Sequence, residues 1–231
     1  MKSQSKSSYP AWLWPVVTIA LLTILSATLI FKTQQSVPNF SRMTPWLFAR
    51  ASGITALVLL SILVSLGLVL SSVPNKMNWR LNNVLLPLHR YLAMFLIFFL
   101  ALHIITIILD PFAKVGLIGA LVPGLSAYRS VPVAVGTIAL YAIILTSLTA
   151  RYPRLLPNNH WLTVHRVALI TFIASWVHGA LTGSDTPALR LLYVSTGGLV
   201  AVFVLLRYWL AHPKRGRSRE EVNESAHPLE Q

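Results

Sequence analysis

Cysteine is absent from the 231 residues, which excludes disulfides, iron–sulfur clusters and thiol-based catalysis and leaves histidine as the obvious metal ligand. Acids are scarce. Six residues are Asp or Glu, and only Asp110 and Asp185 come before the C-terminal tail, each at the end of an apolar run rather than inside one. A glycine-rich phosphate loop is also missing: the adjacent glycines Gly197 and Gly198 lie within an apolar run, where close packing of helices explains them.

What is present is hydrocarbon. The chain is 55% hydrophobic and 11% charged, with a mean hydropathy of +0.66, too apolar for a soluble domain of this length. Six apolar segments of roughly 20 residues, the length that crosses a bilayer as a helix, fall at residues 11–31, 51–70, 86–109, 131–149, 162–181 and 189–210. The expected fold is all-α, a polytopic membrane protein built as a six-transmembrane-helix bundle. The first segment follows Lys2 and Lys6 but is too long for a signal peptide and has no convincing small-residue cleavage site, so it reads as an anchor.

A formal net charge of +13 in a soluble chain would raise nucleic-acid binding; here the basic residues punctuate loops, so no nucleic acid is expected. Placing both termini on one side gathers thirteen of the 19 Lys and Arg residues there, which predicts a multi-pass protein of the cell membrane with both termini cytoplasmic. Residues 1–10 and 212–231 are polar and predicted to be disordered, the latter as a cytoplasmic tail. Neither has the roughly one hundred residues that a flavin or nicotinamide domain takes. FAD or FMN and NAD(P)H are therefore expected only through a separate partner.

The chemistry concentrates in four histidines. His89 and His103 stand 14 residues apart in the third segment, LHRYLAMFLIFFLALH, and His165 and His178 stand 13 apart in the fifth, VHRVALITFIASWVH. Both segments run outward, so each carries one histidine near its cytoplasmic end and one about 20 Å further out. Burying an imidazole nitrogen unpaired in hydrocarbon costs several kcal/mol, and iron is the partner that satisfies two such pairs. His89 with His165 would hold an inner haem b and His103 with His178 an outer one, between helices 3 and 5. Fourteen positions make nearly four helical turns and keep His89 and His103 on one face. Thirteen leave His165 and His178 roughly 140° apart, so the fifth helix must be kinked, rewound or tilted. His160 is a minor alternative to His165; His212 and His227 read as solvated.

Arg90 and Arg166 each follow an inner histidine directly and are candidates for the propionates of an inner haem, although cytoplasmic anchoring explains them equally. Arg50 and Arg129 are the outer counterparts. Between Pro111 and Pro123 the outer loop contains an apolar stretch, 115–122, too short to cross; it reads as an interfacial loop or as a lid over an outer cofactor. Tyr128 and Arg129 within the loop suit a turn better than an acceptor site.

On these residues the sequence resembles the ferric reductase-like transmembrane domain, the haem module of ferric-chelate reductases and NADPH oxidases. The likeness runs over residues 46–211, after a first transmembrane helix and outer loop at 11–45. It rests on the paired histidines, the HR dipeptides at His89–Arg90 and His165–Arg166, Leu109–Asp110 closing the third segment, and His178–Gly179. The resemblance implies two b-type haems ligated by His89, His103, His165 and His178, and electron transfer from a cytoplasmic flavoprotein reductase or quinol across the lipid bilayer to an outer acceptor such as ferric iron. The haem-binding subunit of periplasmic methionine sulfoxide reductase is a related form, and a single-haem subunit feeding a periplasmic reductase is one alternative. A non-redox transporter with proton-relaying histidines is another, and a purely structural subunit a third.

Overall fold

The computed structural model describes residues 13–36, 40–72, 79–184 and 186–211. The polar ends predicted to be disordered lie outside these. The described residues form helices and turns without a strand: α1 Leu13–Ser36, α2 Phe40–Ser72, α3 Trp79–Leu109, α4 Gly116–Leu121, α5 Ser130–Arg151, α6 His160–His165, α7 Ala168–Thr182 and α8 Arg190–Ala211. Five stretches are long and apolar enough to cross a membrane: Arg42–Ser71, Asn82–Leu109, Ser130–Arg151, His160–Thr182 and Arg190–Trp209. In α1 the stretch Val16–Ser26 is also apolar; among the described residues, five of the six crossings expected from the sequence meet both length and composition.

The packing is that of a protein dissolved in lipid. Large apolar side chains point outward, Leu191 at 81% and Val131 at 74% exposure among them, whereas Ser52, Ser61, Ser65, Thr137, Thr146, Thr149, Thr171 and Thr196 are buried. Small hydroxyl residues suit helix contacts because they let backbones approach. Their hydroxyls donate to carbonyls three or four residues earlier in the same helix, as Ser65 does to Ser61 at 2.8 Å and Thr171 to Val167 at 3.0 Å, so no polar hydrogen is stranded. The apolar core joins Leu60 and Leu63 of α2, Leu96 of α3, Ile143 of α5, Phe172 of α7 and Val200 of α8. α2 packs antiparallel on α3 and α5 on α7, with α2 also lying against α7 and α8.

The crossing is broken between α6 and α7, one of the ways open to a 13-residue spacing. Leu162 accepts from the Arg166 N–H as in an α-helix, but Val167 donates to Val164 and Leu169 to Arg166, three residues back, before Thr171 returns to Val167. Each three-residue turn winds about 120° per residue instead of about 100°. This overwinding acts in the direction that brings His165 toward the face of His178.

The apolar loop stretch forms α4, folded back over the bundle. Thr137 and Tyr141 of α5 donate to the Ala120 and Leu121 carbonyls at 3.1 and 2.5 Å. A Cβ on Gly119 would stand 3.0 Å from the Ser126 Cα, so glycine is what lets α4 lie flat on the segment that follows it.

Candidate functional site

Two imidazole pairs face each other at two depths between α3 and the α6–α7 segment. The His103 and His178 ring centroids are 6.4 Å apart with an interplanar angle of 81°, and those of His89 and His165 are 6.0 Å apart at 74°. His160 is exposed at the start of α6, so it is His165 that meets His89.

The outer pair is anchored from behind. His103 Nδ1 bonds the Ala49 carbonyl on α2 at 2.7 Å, and His178 Nδ1 bonds the Pro132 carbonyl on α5 at 2.8 Å. A carbonyl oxygen only accepts, so each Nδ1 carries the proton and each Nε2 keeps a lone pair, the form in which imidazole ligates a metal. Both rings line a cavity of about 240 Å³, walled by Leu57, Leu100, Ile143 and Tyr193, with Val115 and Ala120 of the outer loop also in its lining.

At the inner level the Nδ1 atoms of His89 and His165 are buried without a hydrogen-bond partner among the described residues. The Leu63 carbonyl faces His89 but outside hydrogen-bond geometry. Trp161 packs on His165 with centroids 6.3 Å apart. Arg90 and Arg166 are exposed beside these rings. Neither forms an ion pair among the described residues.

The spacing suits an ion held between the rings of each pair. A metal–imidazole bond of about 2 Å on either side, with about 1 Å from nitrogen to ring centre, sets the centroids roughly 6 Å apart. A T-shaped contact of two rings alone falls in the same range, so the stronger sign is chemical. The two outer rings are held by Nδ1 with their Nε2 lone pairs left for a ligand, and the inner Nδ1 atoms, without a hydrogen-bond partner among the described residues, leave a polar cost of a few kcal/mol unmet in hydrocarbon.

The outer arginines divide. Arg129, in the left-handed region at φ 41°, gives its guanidinium to the Leu181 carbonyl and the Tyr128 ring, while Tyr128 donates to the Thr182 carbonyl at 3.1 Å. These two residues tie the loop to the end of α7. Arg50 instead lines the cavity, stacked 4.5 Å from the Trp46 ring and 2.6 Å from the Ser184 hydroxyl. Asp110 is buried at 3% exposure and accepts the Phe112 and Ala113 N–H groups at 3.1 and 3.0 Å, which ends α3 and turns the chain. Gly179 clears room for Tyr193 of α8, whose hydroxyl would lie 3.1 Å from an added Cβ.

A family model described as ferric reductase like transmembrane component matches residues 52–182, more than half of the chain, with all four histidines inside. The chain belongs to this family. No curated protein and no solved structure matches it. Membership in the ferric reductase-like transmembrane family points to a membrane electron-transfer role and agrees with the multi-pass architecture.

Three glycines escaped the sequence reading. An added Cβ would come 2.9 Å from His103 Nδ1 at Gly53, 3.8 Å from His89 Cε1 at Gly67, and would overlap the His178 ring at Gly136. The signal was a matched interval. Gly53 and Gly67 are 14 residues apart on α2, as His89 and His103 are on antiparallel α3, so one helix register brings each glycine to a histidine.

Proposed function

We propose that this protein is a transmembrane electron conduit that holds two b-type haems, the inner one between His89 and His165 and the outer one between His103 and His178. It takes electrons from a cytoplasmic flavoprotein or a membrane quinol and delivers them to an acceptor outside, such as ferric iron. On this reading α1 is a sixth crossing and both termini are cytoplasmic. The observation that carries the proposal is the meeting of all four histidines in two facing pairs at two membrane depths.

When bound, haem supplies a one-electron couple that neither side chains nor backbone possess. The chain does the rest. His103 and His178 present Nε2 lone pairs and are kept from rotating by the Ala49 and Pro132 carbonyls. Haem held by an imidazole from each helix would favour electron transfer over the binding of small ligands. Val115 and, from α4, Ala120 add apolar lining to the outer cavity. Arg50, in the cavity lining, is the guanidinium placed to meet an outer propionate, Arg90 and Arg166 those for inner ones.

The deciding experiment is a dithionite-reduced minus oxidised spectrum of the purified protein with a pyridine haemochrome assay. Two b-type haems per chain are expected. One would favour a single-haem subunit feeding a periplasmic reductase. None, after expression with ample haem, would reject the conduit and leave a histidine-dependent transporter.

Arg90→Ala removes a positive charge from the inner end. Reduction adds negative charge at the inner site, so the inner midpoint should fall by a few tens of millivolts, about the value of an exposed charge pair, with the outer midpoint unchanged. A redox titration in which neither midpoint moves would take Arg90 out of the site.

A further inference from the structure

We propose that Gly53 and Gly136 are positioning residues for the outer histidine pair: each leaves open the space through which an imidazole reaches the backbone carbonyl one helical turn earlier and is locked with Nε2 facing the site. The role toward iron rests on the conduit reading above; the locking of the rings does not.

The geometry repeats on two helices. His103 Nδ1 meets the carbonyl of Ala49, four residues before Gly53, and His178 Nδ1 meets that of Pro132, four residues before Gly136. In a helix the side chain at i+4 lies directly beside the carbonyl of residue i, so any Cβ there obstructs a ring approaching that oxygen. At Gly53 the obstruction would be 2.9 Å from Nδ1 and 3.0 Å from Cε1, and at Gly136 it would overlap the ring.

A tryptophan shows which atom donates. Trp176 Nε1 bonds the Tyr193 carbonyl at 3.0 Å, with Gly197 four residues on and an added Cβ only 3.4 Å from Nε1. Indole nitrogen is solely a donor, so the arrangement on α8 is an N–H to carbonyl bond, and the histidines reproduce it with Nδ1. Fixing Nδ1–H in this way sets the tautomer, orients the ring and makes Nε2 a more basic ligand.

The inner level differs. Gly67 stands four residues after Leu63 in the same relation to His89, but a Cβ there would be 3.8 Å from the ring, an ordinary contact, and His89 Nδ1 has no hydrogen-bond partner among the described residues. Gly67→Ala is therefore a control on the same helix, facing the other histidine of the same neighbour.

The full chain, labelled with ¹⁵N-histidine and made without haem supply, is read by ¹⁵N NMR, with His103→Asn and His178→Asn assigning the signals; a haem-loaded preparation is titrated for haem at each level. The wild type should show His103 and His178 as Nδ1–H tautomers. Gly53→Ala should remove the His103 Nδ1–H signal and weaken outer haem binding about 10- to 100-fold, the usual cost of losing a partner behind a metal-ligating histidine, with inner binding unchanged. Gly136→Ala should do the same through His178, and either variant suffices if the other fails to fold. Gly67→Ala should leave both levels as they are. Unchanged Nδ1–H signals in Gly53→Ala, or equal damage from Gly67→Ala, would overturn the proposal. A wild type that shows the Nδ1–H signals but binds no haem would overturn the conduit reading and leave the positioning role standing.

Discussion

His103→Ala is expected to cut haem content from two per chain to one, removing the outer group and sparing the inner. The change leaves His178 as a lone ligand and strips the Ala49 carbonyl of the imidazole N–H it now accepts. Losing only the partner behind a ligand costs about 10- to 100-fold in metal affinity, so losing the ligand itself should exceed that. His178→Ala should match it, while His89→Ala and His165→Ala should remove the inner group, because 14 residues of helix place the two levels about 21 Å apart. Pyridine haemochrome on the four variants, with thermal unfolding to confirm that each is folded, reads the result. Equal loss of both groups from every single change would mean that the histidines maintain the bundle and not two separate sites.

Much of this arrangement is legible in the sequence because membrane helices obey few rules. A crossing helix needs about 20 apolar residues, and α2, α3, α5, α7 and α8 each follow such a run. The 13-residue interval from His165 to His178 called for a kink, a rewinding or a tilt, and the structure has a break at Arg166 and Val167, directly after His165. Its exact place was not legible, since Val164 to Ala168 shows no proline or glycine; the short turn is imposed by packing.

Glycine was the least legible signal. Within membrane helices it is common and reads as general close packing, a reading that holds for Gly179 against Tyr193. Gly53 and Gly136 look the same along the chain, and only the antiparallel register of α2 on α3 and α5 on α7 shows that each faces a histidine. On α5 the position 13 residues beyond Gly136 is the buried Thr149, so the glycine rule does not extend to His165. The two levels thus differ in support despite matching ligands. Likewise Arg50 and Arg129 were equivalent by sequence, and the separation between a cavity-lining guanidinium and one committed to the Leu181 carbonyl arises from the fold of the loop.

Electron transfer from the inner to the outer level should depend steeply on membrane voltage. A unit charge moved across the whole membrane gains about 2.3 kcal/mol per 100 mV. The histidine levels are about 21 Å apart in a hydrocarbon core of about 30 Å, so a step between them feels roughly two-thirds of the field, about 1.6 kcal/mol per 100 mV. An inside-negative potential drives the electron outward, and at 100 mV the equilibrium between levels should shift about 15-fold toward the outer one. In liposomes with an enclosed reductant, a potassium diffusion potential and an impermeant ferric acceptor outside, this appears as faster external reduction when the interior is negative and slower when it is positive. His89→Ala and His103→Ala should both reduce transfer to background, since either removes one of the two stations. Transfer indifferent to voltage, with both stations intact, would place the levels side by side in depth, against the 14-residue rise along α3.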